Sequence, residues 1–311
     1  MTGRNAVLVV GSLHLDFIVD APRLPRRDET VMGSGVAIIC GGKGGNQAAA
    51  ARRHGARTYM AGRVATDFFG DRLLENLTRW DVDVSLMQKA KSGASGMSVA
   101  IVEETGDYGA VVVSGANREV EAAGLAVPVD AAVLVLQNEI PEAANFAAAK
   151  AASAVGATVI LNAAPTRPLS SDLLALVDVL IVNRIEAEEL FGCEIRTPTE
   201  AAEASERQSA GPDNVVITLG GEGLVYRRAG SSPAHMPSFE VEVASTHGAG
   251  DAFTGALAAR IATGNSIEKA IRYAMAAAAL HVSATTEQRD KISPNHVLEL
   301  LERGRSRSGC V

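Results

Sequence analysis

The chain has 311 residues, of which 47% are hydrophobic, and a formal net charge of −7 at pH 7. This length is enough for one large domain with a generous core, or for one domain with a small appendage. The acidic balance and the scarcity of clustered Lys and Arg argue against a nucleic-acid-binding protein, which would need a basic face.

Strand-like and helix-like stretches alternate along most of the chain. The predicted strands cover residues 6–11, 58–61, 132–136, 158–161, 179–182 and 215–219. The predicted helices cover residues 46–54, 69–80, 141–155, 184–191, 251–261, 266–281 and 294–303. Such alternation is typical of a parallel sheet with helices on both faces. We therefore predict an α/β fold with a three-layer, doubly wound and mainly parallel sheet.

Two segments, residues 15–36 and 97–113, lack the helical pattern. The second contains two alternating runs joined by a hairpin-like turn that includes Gly106 and Gly109. We assign both segments to a small antiparallel sheet that stands off the main one, the alternative being two edge hairpins of the main sheet. The predicted domains are residues 13–36 and 97–113 for the small sheet, and residues 1–12, 37–96 and 114–311 for the main one.

The cysteines and the hydrophobic runs indicate a cytoplasmic protein. Cys40, Cys193 and Cys310 are widely spaced and follow no metal-binding pattern, so we interpret them as free thiols in a reducing compartment. The apolar run at residues 6–13 is too short to span a membrane, and no signal-peptide cleavage site follows it. We therefore expect no membrane partner.

The most informative motif is the run STHGAGDAFTGAL at residues 245–257. Gly248 and Gly250 permit tight backbone geometry and leave room for a ligand. The amide groups of the helix that follows would attract an anion, phosphate in particular. Asp251 then has two interpretations. Its negative charge interacts favourably with the helix dipole from the first turn, or it is a general base beside an oxyanion pocket.

A second glycine-rich run, GGKGGNQA at residues 41–48, opens an alanine-rich helix. It is neither a Walker A motif nor a dinucleotide-binding fingerprint, because it lacks the Gly-Lys-Ser/Thr ending and the last required glycine. It offers close backbone approach at Gly42 and two polar side chains, Lys43 and Asn46, that suit hydroxyl groups. The alternatives are a flexible surface loop with a solvated lysine, and an N-cap role for Asn46.

Together the two runs resemble those of the ribokinase-like (phosphofructokinase B) family of sugar kinases. The resemblance covers nearly the whole chain, in the family's order, at residues 9–16, 24–30, 41–48, 136–141, 183–188, 218–223 and 245–257. It implies an ATP- and Mg²⁺-dependent kinase that phosphorylates the primary hydroxyl of a small sugar, with D-ribose favoured. It also implies that the small sheet is a lid over the sugar and the contact of a homodimer.

The resemblance assigns roles to individual residues. Asp251 would be the general base, and the amides of Gly248, Ala249 and Gly250 would stabilise the charge on the transferred group. The sugar hydroxyls would contact His14, Asp16, Gly42, Lys43, Asn46 and Glu139. The nucleotide would contact Asn183, Thr218, Gly220, Gly223 and Met275. Glu186 would act on Mg²⁺ through water.

Several of these roles have a structural alternative. Asp16 could form a turn at the end of a strand, Glu139 could cap the next helix, and Glu186 could be a solvated first-turn glutamate. The two glycines of the nucleotide loop fit a plain turn, and Met275 fits core packing. The sequence alone leaves these alternatives open.

The chain departs from the family pattern at positions that bear on the substrate and on K⁺. His14 stands where asparagine is common, and Ser245 replaces the usual aspartate. Residues 283–288 lack the glycine found beside the family's monovalent-cation site. A K⁺ site formed by the backbone carbonyls of Ser245 and His247 is therefore an open question.

Other functions fit the chain less well. Within the family the substrate could instead be a nucleoside, a ketose or a 2-keto-3-deoxy sugar acid. The carboxylate of a sugar acid would require an arginine in the sugar pocket, such as Arg63, Arg118 or Arg167. A catalytically silent sugar- or nucleotide-binding sensor is a further alternative, but it has no chemical need for Asp251. An NAD-dependent oxidoreductase would need a Gly-x-Gly-x-x-Gly turn after the first strand, which is absent.

Overall fold

Two separate β-sheets contain the strands of the protein, whose computed structural model describes residues 3–105, 107–207 and 211–308. The strands are β1 (Ala6–Val10), β2 (His14–Ala21), β3 (Gly35–Gly41), β4 (Arg57–Ala65), β5 (Asp83–Ala90), β6 (Met97–Glu103), β7 (Tyr108–Val113), β8 (Ala131–Gln137), β9 (Thr158–Asn162), β10 (Val179–Asn183), β11 (Asn214–Thr218), β12 (Leu224–Arg228) and β13 (Ala234–Met236). Gly106, predicted in the hairpin turn, and Cys310 lie outside the described residues.

Among the described residues, the α-helices match the predicted ones to within five residues at each end, and three further α-helices were not predicted. They are α1 (Lys43–Arg53), α2 (Phe68–Arg79), α3 (Glu142–Ala154), α4 (Ser171–Leu174), α5 (Arg184–Phe191), α6 (Pro198–Arg207), α7 (Ala249–Ala262), α8 (Ile267–Ser283), α9 (Thr286–Arg289) and α10 (Pro294–Ser308). The additional ones are α4, α6 and α9. Within the described part of the chain, no helix combines the length and the apolar character needed to cross a membrane.

The large sheet has the strand order β13-β12-β11-β10-β9-β8-β1-β4-β5 and carries helices on both faces. Its strands are parallel from β11 to β5, and β12 and β13 add an antiparallel edge. Val7 and Val9 of β1 pack in one core cluster with α1, α7 and α8, whereas Leu8 and Val10 pack in a second cluster with α3, α5 and α6. This alternation places helices on both faces, so the predicted three-layer fold is confirmed.

The four remaining strands form a sheet of their own in the order β3-β2-β6-β7. The alternative that they are edge hairpins of the main sheet is therefore wrong. The two outer pairs are antiparallel, as predicted, but the central pair of β2 and β6 is parallel. The small sheet also includes β3 as far as Gly41, beyond the predicted boundary at residue 36, because the strand continues without a break into the glycine-rich run.

Polar residues follow the carboxyl ends of several parallel strands along one edge of the large sheet. Gln137 ends β8, Asn162 ends β9 and Asn183 ends β10. The first turns of α1 and α7 approach the same edge, since Gln47 of α1 bonds both Asn162 and Asp251 of α7. Open α/β sheets bind ligands at this edge, and the motif residues converge there.

Candidate active site

Asp251 lies in the first turn of α7, which begins after Gly248 in the left-handed conformation (φ 77°). Its side chain points into the protein and is only 8% exposed. Asn46 Nδ2 donates to Asp251 Oδ2 at 3.0 Å, and Gln47 Nε2 donates to Oδ1 at 2.9 Å. A helix-dipole role alone would not require burial or two donors, so the geometry favours a chemical role for this carboxylate.

Gln47 is fully buried and connects Asp251 to the ends of two strands. Its Nε2 also donates to Asn162 Oδ1 at 3.1 Å, and its Oε1 accepts from Gln137 Nε2 at 2.8 Å. Both amide hydrogens and the carbonyl oxygen are therefore engaged, which fixes the orientation of the side chain. Sequence analysis missed Gln47, although it lies within the run at residues 41–48.

Burial raises the pKa of Asp251 above its ordinary value. The positive charge of Lys43 and the hydrogen bonds from Asn46 and Gln47 oppose this shift. A buried carboxylate with a raised pKa accepts a proton more readily than an exposed aspartate does, while the two donors keep its charged form accessible. The arrangement suits a general base.

Glu139 binds the start of α1 and not that of α3. Its Oε2 accepts a hydrogen bond from the amide of Lys43 at 2.9 Å and another from the hydroxyl of Ser12. The N-cap of α3 is Pro141, without a side-chain cap. The alternative that Glu139 caps the following helix is therefore wrong. Ser12 is a second polar residue that sequence analysis missed, though it lies in the opening motif.

The two glycines before α1 allow close contact between this turn and β2. A Cβ on Gly41 would lie 2.2 Å from Asp16 Oδ2, and one on Gly42 (φ 85°) would lie 2.7 Å from the amide nitrogen of His14. Asp16 itself is inside β2 and accepts a hydrogen bond from the hydroxyl of Ser98, so its alternative as a turn former is wrong. The N-cap alternative for Asn46 is wrong as well, because α1 already begins at Lys43.

His14 is buried at the start of β2, between Asn117 and Glu139. Asn117 is oriented by the main chain of Leu13, which donates to its Oδ1 at 2.9 Å and accepts from its Nδ2 at 2.8 Å. The same Nδ2 lies 3.3 Å from His14 Nε2, which is therefore the acceptor. With Nε2 as the acceptor, Nδ1 carries a proton and lies 4.0 Å from Glu139 Oε2.

A cavity of about 450 Å³ brings residues of the sugar and catalytic sets together. Asp16, Asn46, Gly248 and Asp251 line it. The arginines on its wall are Arg53, Arg72, Arg79 and Arg289. The three arginines considered for an acidic substrate, Arg63, Arg118 and Arg167, are not among the lining residues.

Asn183 and Glu186 form a capping box at the start of α5. The amide of Glu186 donates to Asn183 Oδ1 at 2.9 Å, and the amide of Asn183 donates to Glu186 Oε2 at 2.8 Å. Glu186 is 9% exposed, so the alternative of a solvated glutamate is wrong. Burial raises the pKa of Glu186, while the charge of Lys43 opposes the shift.

The remaining nucleotide candidates divide into open and packed positions. Thr218 ends β11, and Gly220 (φ 61°) has open space where a Cβ would stand. Gly223 (φ 92°) is required by the fold, because a Cβ there would lie 2.1 Å from the carbonyl oxygen of Met236. Met275 lies in the core cluster of α7 and α8, which agrees with the packing alternative.

The residues present fit Mg²⁺ but not K⁺. Mg²⁺ commonly uses one or two carboxylates together with substrate phosphates and water, and Glu186 Oε1 accepts no hydrogen bond from the described residues. For K⁺, the candidate carbonyls are already bound. Ser245 O accepts from Arg289 Nη2 at 3.1 Å, and His247 O lies 3.0 Å from His281 Nε2.

Known proteins resemble this chain over nearly its full length. The profile of the pfkB family carbohydrate kinases matches residues 4–293. The chain belongs to this family. It is thus a carbohydrate kinase with the ribokinase-like fold, and the predictions of family, enzyme class and fold are confirmed.

Individual relatives bear on the sugar. The chain is 36% identical to the ribokinase of Bacillus subtilis over 95% of this chain and 99% of that protein. It is 28% identical to the deoxyribokinase of Salmonella typhi over 91% of this chain and 94% of that protein. The structure of Arabidopsis thaliana ribokinase complexed with ribose and ATP matches with a TM-score of 0.87 and 29% identity, covering 96% of this chain and 98% of that one.

Proposed function

We propose that the protein transfers the γ-phosphate of ATP to the primary hydroxyl of D-ribose and produces ribose 5-phosphate. The observation that carries the proposal is Asp251, a buried carboxylate held by two donors at the wall of a cavity and at the start of a helix. The ribokinase relatives, which this chain matches over nearly their full length, support ATP and ribose as the substrates.

The sugar would bind between β2, the first turn of α1 and the loop after β8. Asp16 and Asn46 line the cavity. The carboxylate of Asp16 can accept a hydrogen bond from a sugar hydroxyl, and the carboxamide of Asn46 can accept or donate one. Glu139 accepts a hydrogen bond from the amide of Lys43 and lies 4.0 Å from His14 Nδ1, and Gly42 allows this turn to pack closely on the main chain of His14. In this arrangement His14 Nδ1 can donate a hydrogen bond to a sugar hydroxyl.

Asp251 would accept the proton of the attacking primary hydroxyl. The main chain at the start of α7 would stabilise the charge on the transferred group. Ala249 N already donates to the carbonyl of Thr246 at 3.2 Å. The amides of Gly248, Gly250 and Asp251 have no hydrogen-bond acceptor among the described residues, so they are available as donors.

The nucleotide would occupy the edge formed by the ends of β10 and β11. Asn183, Thr218 and Gly220 lie there, and Glu186 would hold Mg²⁺ through water. The metal would neutralise charge on the ATP phosphates. Gly223 would shape the turn beside the nucleotide without a side-chain contact. Met275 would support this region by packing in the core.

The direct test measures ADP release from MgATP with ribose, 2-deoxyribose, adenosine, fructose and 2-keto-3-deoxygluconate. We expect ribose to give the highest kcat/KM. The deoxyribokinase relative makes 2-deoxyribose the second candidate, and a preference for it would overturn the ribose assignment but not the catalytic one. Turnover of none of these sugars, with ATP still bound, would favour the sensor alternative.

Replacing Gln47 with leucine should lower kcat about tenfold at neutral pH, because Asp251 loses a hydrogen bond to its charged form. The pKa of Asp251 should rise further, so the pH of half-maximal kcat should move upward. The measurement is a pH profile of kcat. Gln88→Leu is the control, since Gln88 also makes two hydrogen bonds, but to the main chain of Glu121 far from the site. An unshifted profile for Gln47→Leu would contradict the role.

We also propose a homodimer through the small sheet. Its outer strands β3 and β7 carry exposed apolar side chains, and the register places Val36, Ile38 and Val111 on one face of the sheet. Contiguous exposed apolar surface on a sheet commonly marks an interface. Sedimentation velocity should give a dimer that dissociates in the Val36→Asp/Val111→Asp variant, whereas a wild-type monomer would contradict it. The cytoplasmic location and the absence of nucleic-acid or membrane partners stay predictions.

A further inference from the structure

The loop before α7 is tied to the carboxyl end of α8 by two side chains. Arg289 Nη2 donates to Ser245 O at 3.1 Å, and Arg289 Nε donates to His281 O at 3.1 Å. His281 Nε2 in turn donates to His247 O at 3.0 Å. The amides of Ala244 and Ser245 add two hydrogen bonds to Val282 O. A single guanidinium therefore bridges the two segments.

The guanidinium of Arg289 is surrounded by main-chain carbonyl oxygens, the kind of group that also binds monovalent metal cations. His281 O belongs to the last turn of α8, where unsatisfied carbonyls and the helix dipole favour positive charge. The second acceptor, Ser245 O, is also a main-chain carbonyl. Arg289 forms no ion pair with a carboxylate in the described part of the chain. Its charge is balanced by carbonyl dipoles, as that of a carbonyl-bound metal cation would be.

Local structure places Arg289 at this position. The short helix α9 (Thr286–Arg289) begins after Thr285, which forms a capping box with Gln288. The amide of Arg289 donates to Thr285 O at 3.0 Å, which fixes the main chain at this residue. Arginine suits a permanent bridge, because its planar guanidinium keeps its charge and presents several donors in a fixed geometry.

The bridged loop leads directly into the catalytic turn. Gly248 packs against His281, since a Cβ on Gly248 would lie 3.1 Å from His281 Nε2. The next residues contain the free amides of Gly250 and Asp251. Arg289, Gly248 and Asp251 also line the same cavity. A shift of the bridge would therefore change the position of the anion-binding amides.

We propose that Arg289 is a positioning residue whose guanidinium replaces a bound K⁺ between the loop at Ser245 and the end of α8, so that the kinase needs no monovalent cation. The inference rests on the kinase function. Arg289 acts through the loop and does not contact the reacting atoms. Serine at position 245 fits this arrangement, because Arg289 uses the main-chain carbonyl of that residue and needs no side-chain carboxylate.

The first experiment compares kcat in chlorides of K⁺, Na⁺ and tetramethylammonium at equal ionic strength. We expect wild-type values within about twofold of one another. Arg289→Ala should lose about 10- to 100-fold in kcat, less than the loss of a direct oxyanion donor at its upper range, with the KM for sugar nearly unchanged. Guanidinium chloride at non-denaturing concentrations should restore part of the loss.

Controls separate positioning from folding. Arg228→Ala removes an exposed arginine near Glu268 and should respond to neither K⁺ nor guanidinium. Arg289→Lys keeps the charge and should retain more kcat than Arg289→Ala. If the alanine variant does not fold, Arg289→Lys and Arg289→Gln provide the comparison. Equal kcat in wild type and either neutral variant, without an effect of guanidinium, would overturn the proposal.

A binding measurement keeps the test independent of the sugar. Calorimetry of MgADP with the wild-type protein should give the same Kd with K⁺ and with tetramethylammonium. Tenfold tighter binding, or tenfold faster turnover, with K⁺ would overturn the proposal. A failure to phosphorylate ribose would instead count against the proposed substrate, because the calorimetric result does not require turnover.

Discussion

Replacing Asp251 with asparagine or alanine should lower kcat by about 10²- to 10⁴-fold, the usual contribution of a general base. The affinities for ATP and sugar should stay within a few-fold, because other residues supply the binding contacts. Two variants are needed. In Asp251→Asn, one amide hydrogen faces the donor group of Asn46 or Gln47, whereas Asp251→Ala removes the side chain without this donor–donor contact.

The measurement combines steady-state kinetics with calorimetric binding of ATP. Asp71→Asn is the matched control, since Asp71 is an exposed aspartate in the first turn of α2. It should leave kcat unchanged. If both Asp251 variants keep wild-type turnover, the aspartate has no part in proton transfer. If the two Asp251 variants lose ATP binding instead, the aspartate contributes to the nucleotide site.

Replacing Gly255 with alanine should destabilise the protein and disturb the active site together. Gly255 lies in α7 where this helix packs closely on α1. An added Cβ would lie 2.5 Å from Ala50 Cβ, 2.6 Å from Gln47 O and 2.8 Å from Ala51 N. Two of these atoms are backbone and cannot move aside, so we expect a loss of about 1–3 kcal/mol in the free energy of unfolding.

Urea unfolding monitored by circular dichroism measures this loss, and kcat should fall as well because the separation of α1 and α7 shifts Gln47 away from Asp251. Gly221→Ala is the control, because its Cβ would meet open space. Alanine is the better helix former by about 1 kcal/mol. A stabilised Gly255→Ala protein would therefore show that helix propensity outweighs the close packing.

The central strands could be predicted because parallel strands buried on both faces are continuous apolar runs. All residues of β1 are buried, and β8 and β9 are nearly so. The prediction omitted β5, whose sequence DVSLMQKA is polar at several positions and mostly half-buried at the edge of the sheet. It also omitted β12 and β13, which form the opposite, antiparallel edge.

The sequence motifs identified residues but not their partners. Asn46 and Asp251 are 205 positions apart, and only the packing of α1 against α7 joins them. Gln137 and Asn162 reach Gln47 from separate strand ends, which no local pattern indicates. Arg289 lies in a short helix that sequence analysis did not predict. The start of α1 was placed too late because Glu139 binds the amide of Lys43 from a distant loop.

The small sheet and helix α1 are joined by a single residue. β3 ends at Gly41, α1 begins at Lys43, and Gly42 alone lies between them. Any displacement of the small sheet therefore acts on the start of α1, where Asn46 and Gln47 donate to Asp251. The position of the small sheet and the hydrogen bonding of Asp251 are thus mechanically coupled through Gly42, so a movement of one should change the other.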